Sequence, residues 1–503
     1  MLKKNIIANY LGKFYTITIG IVVFPLYLNY LGAEAYGLVG FFTMLMSWMM
    51  LLDMGMAPTL SREVAKLRGI DSASEKQKFK YLLHSMEFIF ILIGFLVFSF
   101  VLAFNDWITM NWLKIDELEV STVSFSITLI GFMMGLRFLS TLYKSGIIGA
   151  ESQVWLNVTN MGIATVRFVG VLFIFKFISV DVKYFFAYQV FISILEFLLL
   201  FVKFYKLVDI GKFKLYFSYK AIRPIVPFAL GITYSSIIWI FMTQLDKFLL
   251  SSILSLENYG YFAIVVIIAN AIRQLSNPIG KAILPRMTKL HVQNKDKEMI
   301  HLYKKSTQLM AVFIFSVSGI IAVYSYELLY SLTGNQEAST WAKDILFWYA
   351  IGNGIIAISL FQYYIQFAYG KLKMHVQYNT ILAIISIPLT IWVAYNYGAV
   401  GVSFVWFLLN MISFLIWTPI VHSKFVPGLH KDWMFKDVLP IFISSVLFFT
   451  ILNYIDIDFE LSRFLIFIKL FSIGVSLLLI NILTSSEGRK IVLNFIKHKK
   501  GEI

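Results

Sequence analysis

The stretch YLGAEAYGLVGFFTMLMSWMMLLDMGMAPTLSREVAKLRG, residues 30–69, joins a long apolar run to a basic segment. The apolar part is long enough to cross the hydrocarbon core of a bilayer as a helix. The cations that follow it belong in water or among lipid headgroups. Because the same alternation of apolar runs and charged gaps continues along the chain, the sequence predicts a polytopic membrane protein.

The composition supports this fold class. Of the 503 residues, 59% are hydrophobic and 14% are charged, which is too little charge to cover the surface around a soluble core. A bilayer-length window finds about fourteen apolar segments, centred at about residues 17, 46, 92, 132, 167, 194, 234, 270, 317, 355, 386, 411, 444 and 474. We therefore predict an all-α protein with about 14 transmembrane helices, an even number that places both termini on one side.

The net charge of +15 is explained by topology. The gaps after the second, sixth and eighth segments hold about six, six and seven Lys or Arg residues, and the gaps after the first, ninth and eleventh hold none. Acidic connections at 105–120, 334–340 and 453–462 lie on the opposite side. The positive-inside rule then predicts cytoplasmic termini, and nucleic acid is not an expected partner.

An internal repeat organises the segments. YLGAEAYGLVGFF (30–42) and LSLENYGYFAIVV (255–267) both enter a helix through Glu-x-Tyr-Gly, and IIGAESQVWLNVTN (147–160) echoes AYGKLKMHVQYNTI (368–381) more weakly. The offset is about 222 residues. We predict two pseudo-symmetric six-helix bundles, at 1–210 and 211–425, around a central cavity, followed at 426–503 by two further helices and a basic cytoplasmic tail.

Polar residues recur at helical spacing inside the apolar segments, on faces that lipid cannot solvate. They can hold helices together by hydrogen bonds, or they can line a water-filled cavity. The buried cations outnumber the acids near mid-membrane, and this favours a cavity that binds an anionic substrate. The candidate cavity cations are Lys13, Arg137, Arg167 and Arg273, and the candidate polar residues are Asn9, Asn157, Asn160, Asn270, Gln274 and Asn277.

Four acids are candidates for coupling transport to an ion gradient: Asp53, Glu87, Glu196 and Asp246. Proton and sodium both remain open as the ion. For Asp53, at the cytoplasmic end of its segment, pairing with Arg62 or another basic residue is the slightly favoured interpretation. The sequence has no Cys, His84 and His301 have no second His at ligand spacing, and no Walker, GxSxG or HExxH motif is present, so we expect no metal, no cofactor and no enzyme activity.

Several stretches carry a resemblance to a known family. YLGAEAYGLVGF, LLDMGMAPTLSRE, QVWLNVTN (153–160) and YGAVGVSFVWFLLN (397–410) resemble the Wzx-type O-antigen flippases of the multidrug/oligosaccharidyl-lipid/polysaccharide (MOP) exporter superfamily. The resemblance implies a fourteen-helix, two-lobed transporter in the bacterial inner membrane. It would carry undecaprenyl-diphosphate-linked oligosaccharide from the cytoplasmic to the outer leaflet by alternating access, in O-antigen, capsule or lipopolysaccharide biosynthesis.

The resemblance assigns the cavity cations to the diphosphate and the acidic part of the glycan. Its expected partners are the lipid-linked glycan, H⁺ or Na⁺, membrane lipids, and the polymerase and chain-length proteins of the pathway. A drug or metabolite antiporter of the same superfamily is the second hypothesis, and a membrane-embedded glycan polymerase or glycosyltransferase is the third. An antiporter of cationic drugs is expected to favour acids over Arg in its cavity, and a polymerase is expected to have a long exported loop.

Overall fold

The computed structural model describes residues 2–68, 73–209, 211–455, 459 and 462–499, and these residues are almost entirely helical. The helices are α1 (Leu2–Leu31), α2 (Ala33–Met49), α3 (Met56–Arg68), α4 (Ala73–Ala103), α5 (Asn105–Trp107), α6 (Val120–Gly149), α7 (Gln153–Phe177), α8 (Val182–Val208), α9 (Tyr219–Ile222), α10 (Val226–Ile253), α11 (Leu256–Val292), α12 (Asp296–Val323), α13 (Ser325–Thr333), α14 (Gln336–Ala368), α15 (Lys373–Ile412), α16 (Thr418–Phe425), α17 (Leu429–Asp432), α18 (Leu439–Leu452), α19 (Arg463–Thr484) and α20 (Ser486–Lys499). Within these residues, three π-helical turns occupy Ile108–Trp112, Ser413–Trp417 and Trp433–Val438. The all-α prediction is confirmed.

Within the described ranges, 12 helical segments are long and apolar enough to cross a membrane. One of them, Lys373–Phe425, is 53 residues long and contains the predicted segments centred near 386 and 411. Gly398 interrupts it with a non-helical backbone (φ 58°, ψ −148°). The predicted segment centred near 46 corresponds to α2, which has only 17 residues. The multi-span prediction is confirmed, whereas the number of fourteen crossings stays a prediction.

The chain forms two compact units, Met1–Gly260 and Tyr261–Ile503. In the first unit, α4 and α6 cross where Gly94 faces Gly135, and a Cβ on Gly135 would lie 2.8 Å from the carbonyl oxygen of Gly94. In the second unit, Asn481 of α19 donates hydrogen bonds to Ser316 and Ser445, each at 2.9 Å. Small residues and buried amides are the usual means of packing helices in a membrane. The lobes predicted at 1–210 and 211–425 are defined by helix count rather than by packing and stay a prediction.

The two Glu-x-Tyr-Gly motifs contact each other inside the first unit. A Cβ on Gly260 would overlap the carbonyl oxygen of Ala33 and lie 3.1 Å from the backbone nitrogen of Gly37. The tyrosines of the two motifs, Tyr36 and Tyr259, are both buried. Glycine is needed at this crossing because the neighbouring atoms are backbone and cannot rotate away.

Replacing Gly260 with valine is therefore expected to destabilise the protein by about 1–3 kcal/mol, the usual cost of overpacking. Gly162 of α7 offers a matched control, because no atom lies within 4 Å of the position that its Cβ would take. Thermal unfolding of both variants in detergent measures the difference. Equal midpoints for Gly260→Val and Gly162→Val would show that the crossing tolerates a side chain.

Candidate functional site

Three helices of the first unit bring together charged side chains that are far apart in sequence. Glu196 of α8 forms an ion pair with Lys144 of α6 through Oε1 and one with Arg167 of α7 through Oε2, both at 2.5 Å. Lys144 and Arg167 thus bind different oxygens of the carboxylate. The carboxylate holds α6 and α7 against α8 at this level of the bundle.

Arg137 joins the same group from α6. Its Nε donates a hydrogen bond of 3.1 Å to Ser193 Oγ, and Ser193 lies one helical turn before Glu196 on the same face of α8. The guanidinium carbon of Arg137 lies 4.9 Å from the centre of the Phe42 ring of α2. This distance allows a cation–π contact. We call Arg137, Lys144, Arg167 and Glu196 the Glu196 cluster.

The Glu196 cluster contains three cations and one carboxylate. The side chains of the cluster differ in exposure to solvent: that of Lys144 is 34% exposed, that of Arg167 is 18% exposed and that of Glu196 is 7% exposed. The buried Nε of Arg167 forms no hydrogen bond with any of the described residues. A buried donor without an acceptor is costly, so the cluster has both positive charge and hydrogen-bonding capacity left for an anion.

Glu87 lies in a second buried group on α4, α6 and α8. Its carboxylate accepts hydrogen bonds from Tyr205 at 2.8 and 3.0 Å and from Tyr143 at 3.1 Å. His84 Nδ1 lies 2.9 Å from the same carboxylate. Glu87 is fully buried, and the opposite ring nitrogen of His84 has no partner in the described part of the chain. We call these four residues the Glu87 cage.

The other two predicted acids have local partners. Asp53 Oδ1 accepts a hydrogen bond of 2.8 Å from the backbone nitrogen of Ala57, so Asp53 caps the start of α3 after the chain turns through Met54 and Gly55, both with positive φ. This capping was not foreseen from the sequence. Asp246 of α10 is buried and pairs with the adjacent Lys247 at 2.7 Å. An ion-coupling role for either acid stays a prediction.

Two of the predicted polar residues, Asn9 and Asn157, form hydrogen bonds between helices. Asn157 of α7 donates to Asn9 of α1 at 2.6 Å, and Asn9 donates to Gln153 at 2.6 Å, so these amides join two helices. Arg273 reaches Asn270 on its own helix at 3.4 Å. Asn160 and Gln274 are half-buried, Lys13 is exposed, and the side chain of Asn277 lies outside the described residues.

The structure thus unites two of the predicted cations, Arg137 and Arg167, with the predicted acid Glu196. Arg273 belongs to the other compact unit. Lys144 was not among the site residues predicted from the sequence, and neither were the tyrosines of the Glu87 cage, because Tyr is common throughout this apolar chain. No group of three or more potential metal ligands occurs among the residues that the structure describes.

Comparison with known proteins agrees with this architecture. A family described as polysaccharide biosynthesis protein matches residues 2–291. A putative O-antigen transporter of Shigella flexneri is 24% identical over 415 residues, covering 82% of this chain and 96% of that protein. This relative is described as a transporter rather than a catalyst, in agreement with the prediction that the chain is not an enzyme.

Solved structures show the same fold. The lipid II flippase MurJ, in an inward closed conformation, has a TM-score of 0.74 at 17% identity and covers 94% of this chain and 97% of its own. An inward-facing multidrug resistance MATE family transporter of the MOP superfamily has a TM-score of 0.62 at 13% identity, covering 83% and 96%. The fold is that of the MOP exporters, as the sequence predicted. Since the family match covers more than half of the chain, this protein belongs to the polysaccharide biosynthesis protein family.

Proposed function

We propose that this protein is a flippase for undecaprenyl-diphosphate-linked oligosaccharide, of O-antigen or capsule type, which it moves from the cytoplasmic to the outer leaflet by alternating access. The family and the O-antigen transporter relative support a polysaccharide role. The Glu196 cluster is the observation that supports an anionic, diphosphate-bearing substrate. It has an excess of positive charge, and Arg167 has an unused hydrogen-bond donor.

The cluster can bind an anion by exchange of partners. Glu196 neutralises part of the positive charge while no substrate is bound, which lowers the cost of keeping Arg167 and Lys144 away from bulk water. A diphosphate entering beside the more exposed Lys144 would accept hydrogen bonds from both cations and compete with Glu196 for them. The polyprenyl tail would stay in the bilayer, because only the polar head needs a path through the protein.

An ion gradient or the membrane potential is the proposed energy source, since the sequence has no Walker loop. Of the four candidate acids, Glu87 and Glu196 are buried in the first unit among groups that can exchange hydrogen-bond partners. Protonation of either carboxylate would weaken the bonds that join α6 and α8. Binding of an ion at either acid would therefore change helix packing.

The proposed setting is the bacterial inner membrane, with both termini in the cytoplasm. The basic connections between the helices lie on one side of the predicted topology. The expected partners are the lipid-linked glycan and the polymerase and chain-length proteins that act on it after translocation.

Deletion of the gene tests this function. We expect surface polysaccharide to disappear and complete lipid-linked units to accumulate on the cytoplasmic side, with both effects reversed by a plasmid copy. Carbohydrate analysis of the cell surface and of extracted lipid-linked intermediates provides the readout, and it also identifies the sugar. Normal surface glycan together with altered sensitivity to small toxic compounds would instead identify an antiporter.

The antiporter remains the second proposal because the MATE transporters share the fold. A carrier of cationic drugs needs acids at its binding site, whereas the Glu196 cluster contains more cations than acids. A glycan polymerase or glycosyltransferase is the distant third. The cluster therefore favours the flippase over the antiporter.

A further inference from the structure

A groove of about 550 Å³ lies between the end of α3, the start of α4 and the segment 216–225 that precedes α10. We call it the α3–α4 groove. Its rim includes Lys66, Lys78 and Lys220, and its apolar lining includes Phe79, Leu82 and Ile225. The groove is separate from the Glu196 cluster and from the Glu87 cage, so neither proposed role accounts for it.

The charges on the rim leave room for an anion. Lys66 pairs with Glu63 at 2.6 Å and Lys78 pairs with Glu75 at 2.5 Å, and both glutamates also line the groove. Each ammonium group has three donors, and the side chains of Lys66 and Lys78 are 49% and 73% exposed. Lys220 pairs with no carboxylate in the described part of the chain. The lining therefore holds three lysines against two glutamates.

The groove lies at the depth where α4 changes from polar to apolar. The helix begins with ASEKQKFK (73–80), and its apolar run follows directly. Tyr81 at this boundary contacts Tyr216 with ring centres 5.6 Å apart, and tyrosine is enriched where protein meets the headgroup region. By the positive-inside rule this boundary is the cytoplasmic one.

We propose that the α3–α4 groove binds the headgroup of an anionic phospholipid from the cytoplasmic leaflet. The lysines would contact the phosphate, and the apolar lining would contact the glycerol and the first part of an acyl chain. Basic pockets between helices at this face of a membrane favour anionic lipids over zwitterionic ones. A soluble anion would use the lysines but would gain nothing from Phe79, Leu82 and Ile225.

The test measures lipid binding to the purified full-length protein in detergent, by native mass spectrometry with phosphatidylglycerol and phosphatidylcholine. We expect phosphatidylglycerol to bind more tightly, and each of Lys66→Gln, Lys78→Gln and Lys220→Gln to weaken its binding about fivefold. Lys297→Gln is the matched control, because Lys297 is an exposed lysine of another predicted cytoplasmic connection. All four substitutions lie on the surface, and size-exclusion chromatography verifies folding.

Three results would overturn the proposal: equal binding of the two lipids, unchanged phosphatidylglycerol binding by the three groove variants, or a loss no larger than that of Lys297→Gln. Competition by glycerol phosphate at the lipid's own concentration would also overturn it, because the groove would then be a soluble-anion site. The readout is lipid binding rather than glycan export, so its failure leaves the proposed flippase function unaffected.

Discussion

Replacing Arg167 with alanine is expected to lower glycan export about tenfold or more while the protein remains in the membrane. The substitution removes a charge-assisted hydrogen-bond donor to the proposed diphosphate, and such bonds contribute about 1.5–3 kcal/mol. Glu196 keeps Lys144 as a partner at 2.5 Å, so the carboxylate is not left alone. Surface glycan per cell, divided by the amount of protein in the membrane, is the quantity to measure.

Lys176→Ala is the matched control for this prediction, because Lys176 is an exposed cation near the end of the same helix. It removes the same charge without touching the Glu196 cluster. Arg167→Lys keeps the charge but not the planar array of donors, so intermediate export is expected.

Arg273→Ala is expected to lower export as well, and it tests the predicted cation of the second unit.

Two outcomes would remove Arg167 from the mechanism. If Arg167→Ala disappears from the membrane, the ion pair with Glu196 serves to hold α7 and α8 together, which is the structural interpretation of the polar faces. If the variant is present at normal levels and exports normally, the anion binds elsewhere. Membrane abundance and export therefore have to be measured in the same cells.

The second large effect is expected at Glu87. Glu87→Leu removes the acceptors of Tyr143, Tyr205 and His84 together, and each buried donor left without an acceptor costs about 1–3 kcal/mol. We expect a loss of about 3 kcal/mol or more in the free energy of unfolding. Glu75→Leu on the same helix is the control, because its ion pair with Lys78 is on the surface and contributes little. Thermal unfolding in detergent measures both.

Glu87→Gln separates a packing role from a coupling role. Glutamine keeps the size of the side chain and one acceptor oxygen but cannot bind and release a proton. If Glu87 couples transport to protons, the folded variant should export glycan at a rate that no longer responds to collapse of the proton gradient. If export and its response to the gradient are both normal, the Glu87 cage serves only to pack α4, α6 and α8.

The sequence was most informative about properties that depend on the residues of one short stretch. Apolar length and the bias of Lys and Arg between gaps indicated a multi-span helical protein. The sequence also contained the two Glu-x-Tyr-Gly motifs, but only the structure showed that their glycines meet at a helix crossing. The points at which helices begin, end or are interrupted were less predictable. Gly398 interrupts one long helix where a window of hydropathy shows only two apolar stretches, because hydropathy does not report backbone conformation.

The chain by itself determined the class of protein, its helical character and a surplus of cations inside apolar segments, because these properties depend on composition and on the spacing along one helix. Only the tertiary structure decided which charges meet. Lys144 and Arg167 reach Glu196 across 52 and 29 positions of sequence, and such contacts depend on the rotation and depth of three separate helices. The same holds for Asp53, whose local cap on α3 became apparent only once the turn after α2 was defined.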